Sequence, residues 1–355
     1  MLKELKHSLG HIELLISRPL VIPKVFAGYF KTLILRQAVL RVVEFVVNHE
    51  CQSNCVMCCA SKNRKDDQVP LSPAEIKNVW NQSAKLGAVV AILEGGEATL
   101  RKDFLEIIQA LDPKRTIIHL ITNSLGLNKG RLLDMKKAGL VSICFSLDGP
   151  DAETNDKIRG SKGHFNQVVQ CIKWAKEVGL IVCIAPTLSH GQIQKVKKII
   201  QMALELGCNI TPATAVLSGR WAKQSEYLLD NVEWEEIRQL LNTYPQMRFD
   251  WSINYSLKSE CPGGREKISV GVYGDILGCP GNPISFGNVR EEPLKKIWKR
   301  MHNFIPFKKR SPICLISEDV NYIKSFIDPI AELQQHPVSI NSHPNQSIIN
   351  TAFNS

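Results

Sequence analysis

The stretch Val42-Val-Glu-Phe-Val-Val47-Asn-His-Glu-Cys51-Gln-Ser-Asn-Cys55-Val-Met-Cys58 decides how the rest of the chain is read. Its first six residues are β-branched or aromatic, interrupted once by Glu44, which is the pattern of a short buried strand. The cysteines follow in a C-x3-C-x2-C spacing, on a loop at that strand's carboxyl end. Three thiolates this close can ligate three irons of one cubane cluster and leave the fourth iron open to chemistry. A structural zinc would need a fourth ligand, which neighbouring Cys59 could supply only with distortion. A redox pair, Cys55 and Cys58, would normally stand alone and open a helix.

Outward from this stretch, short apolar runs alternate with segments of helical period. The strand candidates are Val42–Val47, Val89–Leu93, Thr116–Thr122, Val141–Leu147, Leu180–Pro186 and Asn209–Ala213. Helices are predicted near Ser72–Leu86, Lys102–Ala110, Lys129–Ala138, Phe165–Val178 and Ile193–Leu206, several closed by glycine. Six βα units suit either an open doubly wound sheet or a partial barrel, and both collect function at the carboxyl ends of strands.

Composition sets outer bounds. The 355 residues are 44% hydrophobic and 22% charged, which excludes a wholly disordered or collagen-like chain. The net charge of +10 admits an acidic partner, but the basic residues are spread along the chain. Eleven cysteines, an odd number with no signal-peptide pattern ahead of them, point to a reducing, cytoplasmic compartment and to metal or redox chemistry. No apolar run approaches the roughly 18 residues a membrane-spanning helix needs.

The cysteine loop at the head of a (βα)6 pattern resembles the radical S-adenosylmethionine (radical SAM) superfamily, and further motifs follow in order. Leu93-Glu-Gly-Gly-Glu-Ala98 is similar to the family's GGEP loop, with Ala98 in place of Pro. Thr122-Asn123-Ser124 resembles its TNG, and Ser146-Leu-Asp148-Gly149 its S-[LIV]-D-G. Asn155-Asp-Lys-Ile-Arg159-Gly160 resembles its H-D-x-[IL]-R-G, with Asn155 where His is usual. The resemblance implies an α/β fold, a partial (β/α)6 TIM-like barrel. It implies a 4Fe–4S cluster on Cys51, Cys55 and Cys58, and reductive cleavage of S-adenosylmethionine (SAM) to a 5′-deoxyadenosyl radical. Gly95, Gly96 and Glu97, by backbone and side chain, are expected to receive the SAM amino group. Asn123 and Asp148 are further expected cofactor contacts, with Ser146 near the ribose or carboxylate. Arg159 is expected on the carboxylate, a role that suits a planar guanidinium.

In the second half, Cys261, Gly274 and Cys279 resemble the opening of the SPASM/Twitch domains that hold auxiliary iron–sulfur clusters, and Gly287-Asn-Val-Arg-Glu-Glu-Pro-Leu-Lys-Lys-Ile-Trp298 resembles their sequel. Cys314 is the last cysteine, so the resemblance implies one auxiliary cluster on Cys261, Cys279 and Cys314 in a small C-terminal domain. Its fourth position falls to Asp319, Glu318, a barrel cysteine or an open iron. Cys144, Cys171, Cys183 and Cys208 read as core residues, Cys208 also as a candidate radical-quenching hydrogen donor, and His119 and His164 as structural histidines.

The resulting division is a basic helical extension over 1–41, a radical SAM core over 42–230, a SPASM/Twitch-like domain over 231–330, and a mobile Asn/Ser/Gln/Pro-rich tail over 331–355. The extension carries Lys24, Lys31, Arg36 and Arg41 among apolar residues, so it either packs on the barrel or touches an anionic membrane surface. The expected function is radical chemistry on a small molecule, lipid precursor or peptide, with an electron donor such as flavodoxin or ferredoxin and no nucleic acid. The rival is a non-catalytic zinc protein whose basic surface contacts nucleic acid, although no recognised nucleic-acid motif accompanies the charge.

Overall fold

The computed structural model describes residues 12–65, 67–249 and 254–354. Five strands, β1 (Val42–Val46), β2 (Val90–Glu94), β3 (Ile117–Thr122), β4 (Ser142–Ser146) and β5 (Ile181–Ala185), lie parallel and in chain order. A short β6 (Thr187–Leu188) follows, then β7 (Asn209–Ile210) adds to β5 as the sixth parallel strand, and β8 (Ala213–Thr214) pairs with β6. Helices intervene at Pro73–Leu86, Phe104–Ala110, Lys129–Ala138, His164–Glu177 and Ile193–Glu205. Two of these starts are side-chain capped, by Ser72 with Glu75 as a capping box and by Asn128 on the Arg131 amide.

Among the described residues the second half builds no separate sheet. β9 (Lys267–Val270) runs parallel to β1, with Val42 opposite Lys267, and β10 (Asp275–Leu277), β11 (Ile284–Asn288) and β12 (Val338–Ser339) continue outward. One ten-stranded sheet results, ending at β7 and β12 without closing, so the barrel is partial. One strand face, with Phe45, Leu93, Leu120, Ile143 and Ile184, is buried in the main hydrophobic core. The opposite face lines the lumen and is more polar: Lys267 Nζ meets Glu44 Oε1 at 3.1 Å, and His119 Nδ1 lies 2.6 Å from Ser142 Oγ.

The carboxyl-terminal expectation changes, and the amino-terminal extension takes the first of its two alternatives, packing on the barrel. Residues 331–354 are packed: Val338 pairs with Ile284, the buried His336 and His343 rings bond the carbonyls of Ile330 and Phe326, and Phe353 meets Phe304 at 5.4 Å. The polar composition hid an apolar set, Ile340, Ile349 and Ala352, that buries well. The amino-terminal helices Ile12–Ser17 and Ile22–Leu33 pack against the amino ends of β2 and β3 through Val21, Leu14, Leu15 and Val25. Lys24 and Arg41 are turned inward, onto the Ala88 carbonyl and toward Glu266, so they do not belong to a solvated basic face.

Candidate active site

The cysteine loop is held in shape by backbone from three other loops. Beyond β2, the Gly96 amide donates to Asn48 O at 2.9 Å and the Glu97 amide to Glu50 O at 2.7 Å, while Asn48 Nδ2 donates to Glu97 O. A Cβ on Gly95 would lie 2.6 Å from Asn48 Oδ1 and 2.7 Å from Asn48 O, so the approach requires glycine. After β4, Arg159 O and Ile158 O accept from the amides of Asn54 and Val56. After β8, the Arg220 amide donates to Cys58 O, and its guanidinium to the carbonyls of Asn54 and Cys55. Gly219, at φ +61°, sits where a Cβ would collide with the Cys58 carbonyl.

Glu97 is buried and its carboxylate is spent inside the protein. Oε1 accepts from the Thr99 amide (3.1 Å), Thr99 Oγ1 (2.6 Å) and Thr122 Oγ1 (2.8 Å), and Oε2 from the Asn123 amide (2.7 Å). Burial raises its pKa against the pull of these donors. The side chain therefore joins the β2 and β3 loops. The amides of Gly96 and Glu97 are donors already used, so carbonyl oxygens are what this loop has to offer an amine. Asn123 carries the linkage on, its Nδ2 lying 3.4 Å from Cys51 Sγ.

Asp148 and Arg159 form a buried ion pair, Oδ2 against Nη2, and Asp148 Oδ1 accepts from the Thr187 amide at 2.6 Å. Arg159 Nη1 is 3.7 Å from Cys55 Sγ. The guanidinium expected on a SAM carboxylate thus pairs with Asp148 and lies near a cluster-loop sulfur, while its buried Nε has no hydrogen-bond partner. Asn155, in the usual histidine position, accepts from the Asp148 amide and bonds His164 Nδ1 at 2.9 Å; burial drops the His164 pKa to about 4. Ser146 ends β4, on the strand face that His119 and Cys144 share.

A cavity of about 400 Å³ opens beside the cysteine loop. Val56 and Met57 of the cysteine loop line it together with Asp148, Thr187, Trp221 and Tyr227, the last two rings stacked at 4.3 Å. Lys195 also lines it; burial lowers its pKa while Asp148 pulls the other way. Cys208 is remote from this opening. It precedes β7, at the amino end of a strand, with its thiol on Leu206 O and pushed by burial up to about 11. The hydrogen-donor expectation for Cys208 is not supported, because the cavity lies at the opposite ends of the strands.

All three loop cysteines are free thiols, with Asn123 and Arg159 donating toward the sulfurs of Cys51 and Cys55, a donor set that fits an iron–sulfur cluster; burial raises the Cys51 and Cys58 thiols, so cluster binding would release their protons. Burial pushes the Cys59 thiol up to about 12, so it stays protonated. In the second half, Cys261, Cys279 and Cys314 come close enough to feel one another's charge. Burial raises the thiol pKa of both Cys279 and Cys314, the latter to about 12, and metal binding would release those protons. The carboxylates considered for the fourth position are engaged locally: Asp319 caps the Tyr322 amide and Glu318 accepts from the Cys314 amide. The Tyr322 hydroxyl, accepting from Asn282 Nδ2, faces Cys279 and Cys261 instead.

The profile of the radical SAM superfamily matches residues 45–211, and that of an iron–sulfur cluster-binding domain, SPASM, matches residues 261–316. The chain is a radical SAM enzyme. It is 25% identical over 279 residues to the PqqA peptide cyclase of Rhizobium meliloti (strain 1021), covering 74% of each protein. It is 23% identical over 295 residues to the AdoMet-dependent heme synthase of Methanosarcina barkeri, covering 74% of this chain and 83% of that one. In fold it resembles Streptococcus suis SuiB bound to its precursor peptide SuiA (TM-score 0.61, 17% identity, 78% of this chain, 68% of that one). It also resembles anSMEcpe with bound AdoMet and a peptide (TM-score 0.56, 16% identity, 76% and 84%). This radical SAM enzyme therefore uses a 4Fe–4S cluster, SAM and auxiliary iron–sulfur chemistry, and needs a reductant, and the zinc-protein reading is set aside.

Sequence reasoning missed Lys195, Gly219, Arg220, Trp221 and Tyr227 of this radical SAM enzyme. Each follows the fifth or a later strand, and asking what stands after those strands, as after the first four, would have found Gly219-Arg220-Trp221. Among the described residues no helix is long and apolar enough to cross a membrane.

Proposed function

We propose that Cys51, Cys55 and Cys58 hold the SAM-binding cluster, that SAM occupies the adjoining cavity, and that Cys261, Cys279 and Cys314 hold one auxiliary cluster. The observation that supports this most is that the cysteine loop itself, through Val56 and Met57, lines the cavity. The bound cluster and SAM would supply one-electron reductive cleavage to methionine and a 5′-deoxyadenosyl radical that takes hydrogen from the substrate. The chain orients and shields. With Arg159 held by Asp148, Lys195 is the cavity cation that would take the SAM carboxylate, carbonyls of Gly95 and Gly96 would take its amino group, and Trp221 and Tyr227 would exclude water.

The substrate is a small molecule or free-standing peptide, oxidised, epimerised or joined by a new bond, in the cytoplasm, with a flavodoxin- or ferredoxin-type carrier as reductant. A peptide cyclase and a precursor-peptide complex among the compared proteins support a peptide. The test is SAM cleavage under dithionite by the anaerobically reconstituted enzyme. Replacing Cys51, Cys55 and Cys58 with Ala abolishes 5′-deoxyadenosine formation; retained turnover overturns the assignment.

Contact with an anionic membrane surface is part of the same reading. Phe26, Phe30 and Ile34, spaced four apart, are 70%, 56% and 66% exposed beside Lys31 and Arg36. Replacing the three with Ser lowers sedimentation with phosphatidylserine vesicles; equal sedimentation removes the membrane contact.

A further inference from the structure

Three adjacent strands bring soft donors together inside the lumen. Ile121 of β3 is in register with Cys144 of β4, and Cys144 with Cys183 of β5; His119 stands two residues earlier on the same face as Ile121. The alternate residues, Leu120, Ile143 and Ile184, belong to the hydrophobic core on the other face. The ligand atoms of His119, Cys144 and Cys183 all lie within 4.8 Å of one another, with His119 Nε2 4.0 Å from Cys183 Sγ. Two residues of strand rise, about 6–7 Å, separate the Cys144–Cys183 level from Ser146 at the carboxyl end of β4.

We propose that His119, Cys144 and Cys183 bind one zinc ion, a site separate from both iron–sulfur centres. Its second layer is already built. With Nδ1–H donating to Ser142 Oγ at 2.6 Å, the Nε2 lone pair is left to face the two sulfurs, which is how a metal-ligating histidine is oriented. Two sulfurs and one imidazole are a borderline-soft set that selects zinc over magnesium or calcium. Two thiolates neutralise the ion, so no net charge is left in the lumen. Tetrahedral bonds of about 2.3 Å to sulfur and 2.0 Å to nitrogen call for donor separations of about 3.5 Å, a small contraction from the present spacing. Water takes the fourth position, with the Thr211 hydroxyl, which hydrogen-bonds the Cys183 sulfur, next to it.

The test is elemental analysis of the cluster-loaded protein after equilibration with zinc and removal of free metal, with iron measured on the same sample. About one zinc per chain is expected, lost in Cys183→Ser and His119→Ala but kept in Cys208→Ser, with iron unchanged. Ser142→Ala retains every ligand, and its affinity in a chelator competition falls roughly 10–100-fold. X-ray absorption at the zinc edge reads two sulfurs in the first shell. Any of three results overturns the proposal: no zinc in the unaltered protein, zinc that survives Cys183→Ser but leaves with Cys51, Cys55 and Cys58, or a mass lower by two hydrogens that marks a Cys144–Cys183 disulfide.

Discussion

Glu97→Gln tests whether that carboxylate is the knot between the cofactor loops. The substitution keeps shape and removes charge. On Oε1 three donors keep an acceptor, but a neutral one, and each hydrogen bond loses about 0.5–1 kcal/mol relative to a charged acceptor. At the Oε2 position an amide NH2 now faces the Asn123 amide, two donors against each other, leaving a buried N–H without an acceptor at about 1–3 kcal/mol. Relief from burying a charge offsets part of this, since burial already raises the Glu97 pKa. The net loss is about 2 kcal/mol, concentrated at the start of the β3 loop. Amide hydrogen exchange at Asn123 should therefore quicken by roughly 30-fold, a factor of ten for each 1.4 kcal/mol. Because Asn123 Nδ2 reaches Cys51, iron retention during gel filtration should fall as well. Unchanged Asn123 protection together with unchanged global stability would refute the role given to Glu97.

Further predictions follow from neighbouring contacts. Arg159→Met strands the buried Asp148 carboxylate and costs about 3–5 kcal/mol in urea unfolding, whereas Arg159→Met with Asp148→Leu costs less than Arg159→Met alone. Lys195→Ala weakens SAM binding about tenfold in equilibrium dialysis and Lys195→Arg restores most of it; unaltered affinity removes Lys195 from the carboxylate site. Glu75, bonded to Arg290 and lowered to a pKa of about 2 from 4.5, contributes stability above about pH 4.5 that is lost as pH falls toward 2. Its side chain is 39% exposed, so after solvent screening the contribution is about 1 kcal/mol or less, and Arg290→Ala should flatten the acid limb of stability by that amount.

Strand order and the cysteine loop were legible because each is written in consecutive residues, and the βα rhythm puts the motifs at one end of the sheet. What the residues do to one another was less legible. Glu97 turns inward because Thr99, Thr122 and Asn123 converge on it, and Thr122 lies 25 positions away. Arg220 reaches Asn54 across 166 positions, a contact no local pattern encodes. Cys144 and Cys183 read singly as core and His119 as a structural histidine; only the register of β3, β4 and β5 makes them one group. The carboxyl-terminal segment misled through composition, since two buried histidines bonded to carbonyls look like polar residues of a tail.

The most direct measurement is iron and sulfide content after anaerobic reconstitution, followed on the same sample by 5′-deoxyadenosine formation from SAM under dithionite. About eight irons per chain with deoxyadenosine formed are expected, falling to about four irons with none formed when Cys51, Cys55 and Cys58 are replaced by Ala. Zinc in place of iron with no deoxyadenosine, or deoxyadenosine that persists without those three thiols, would contradict the account.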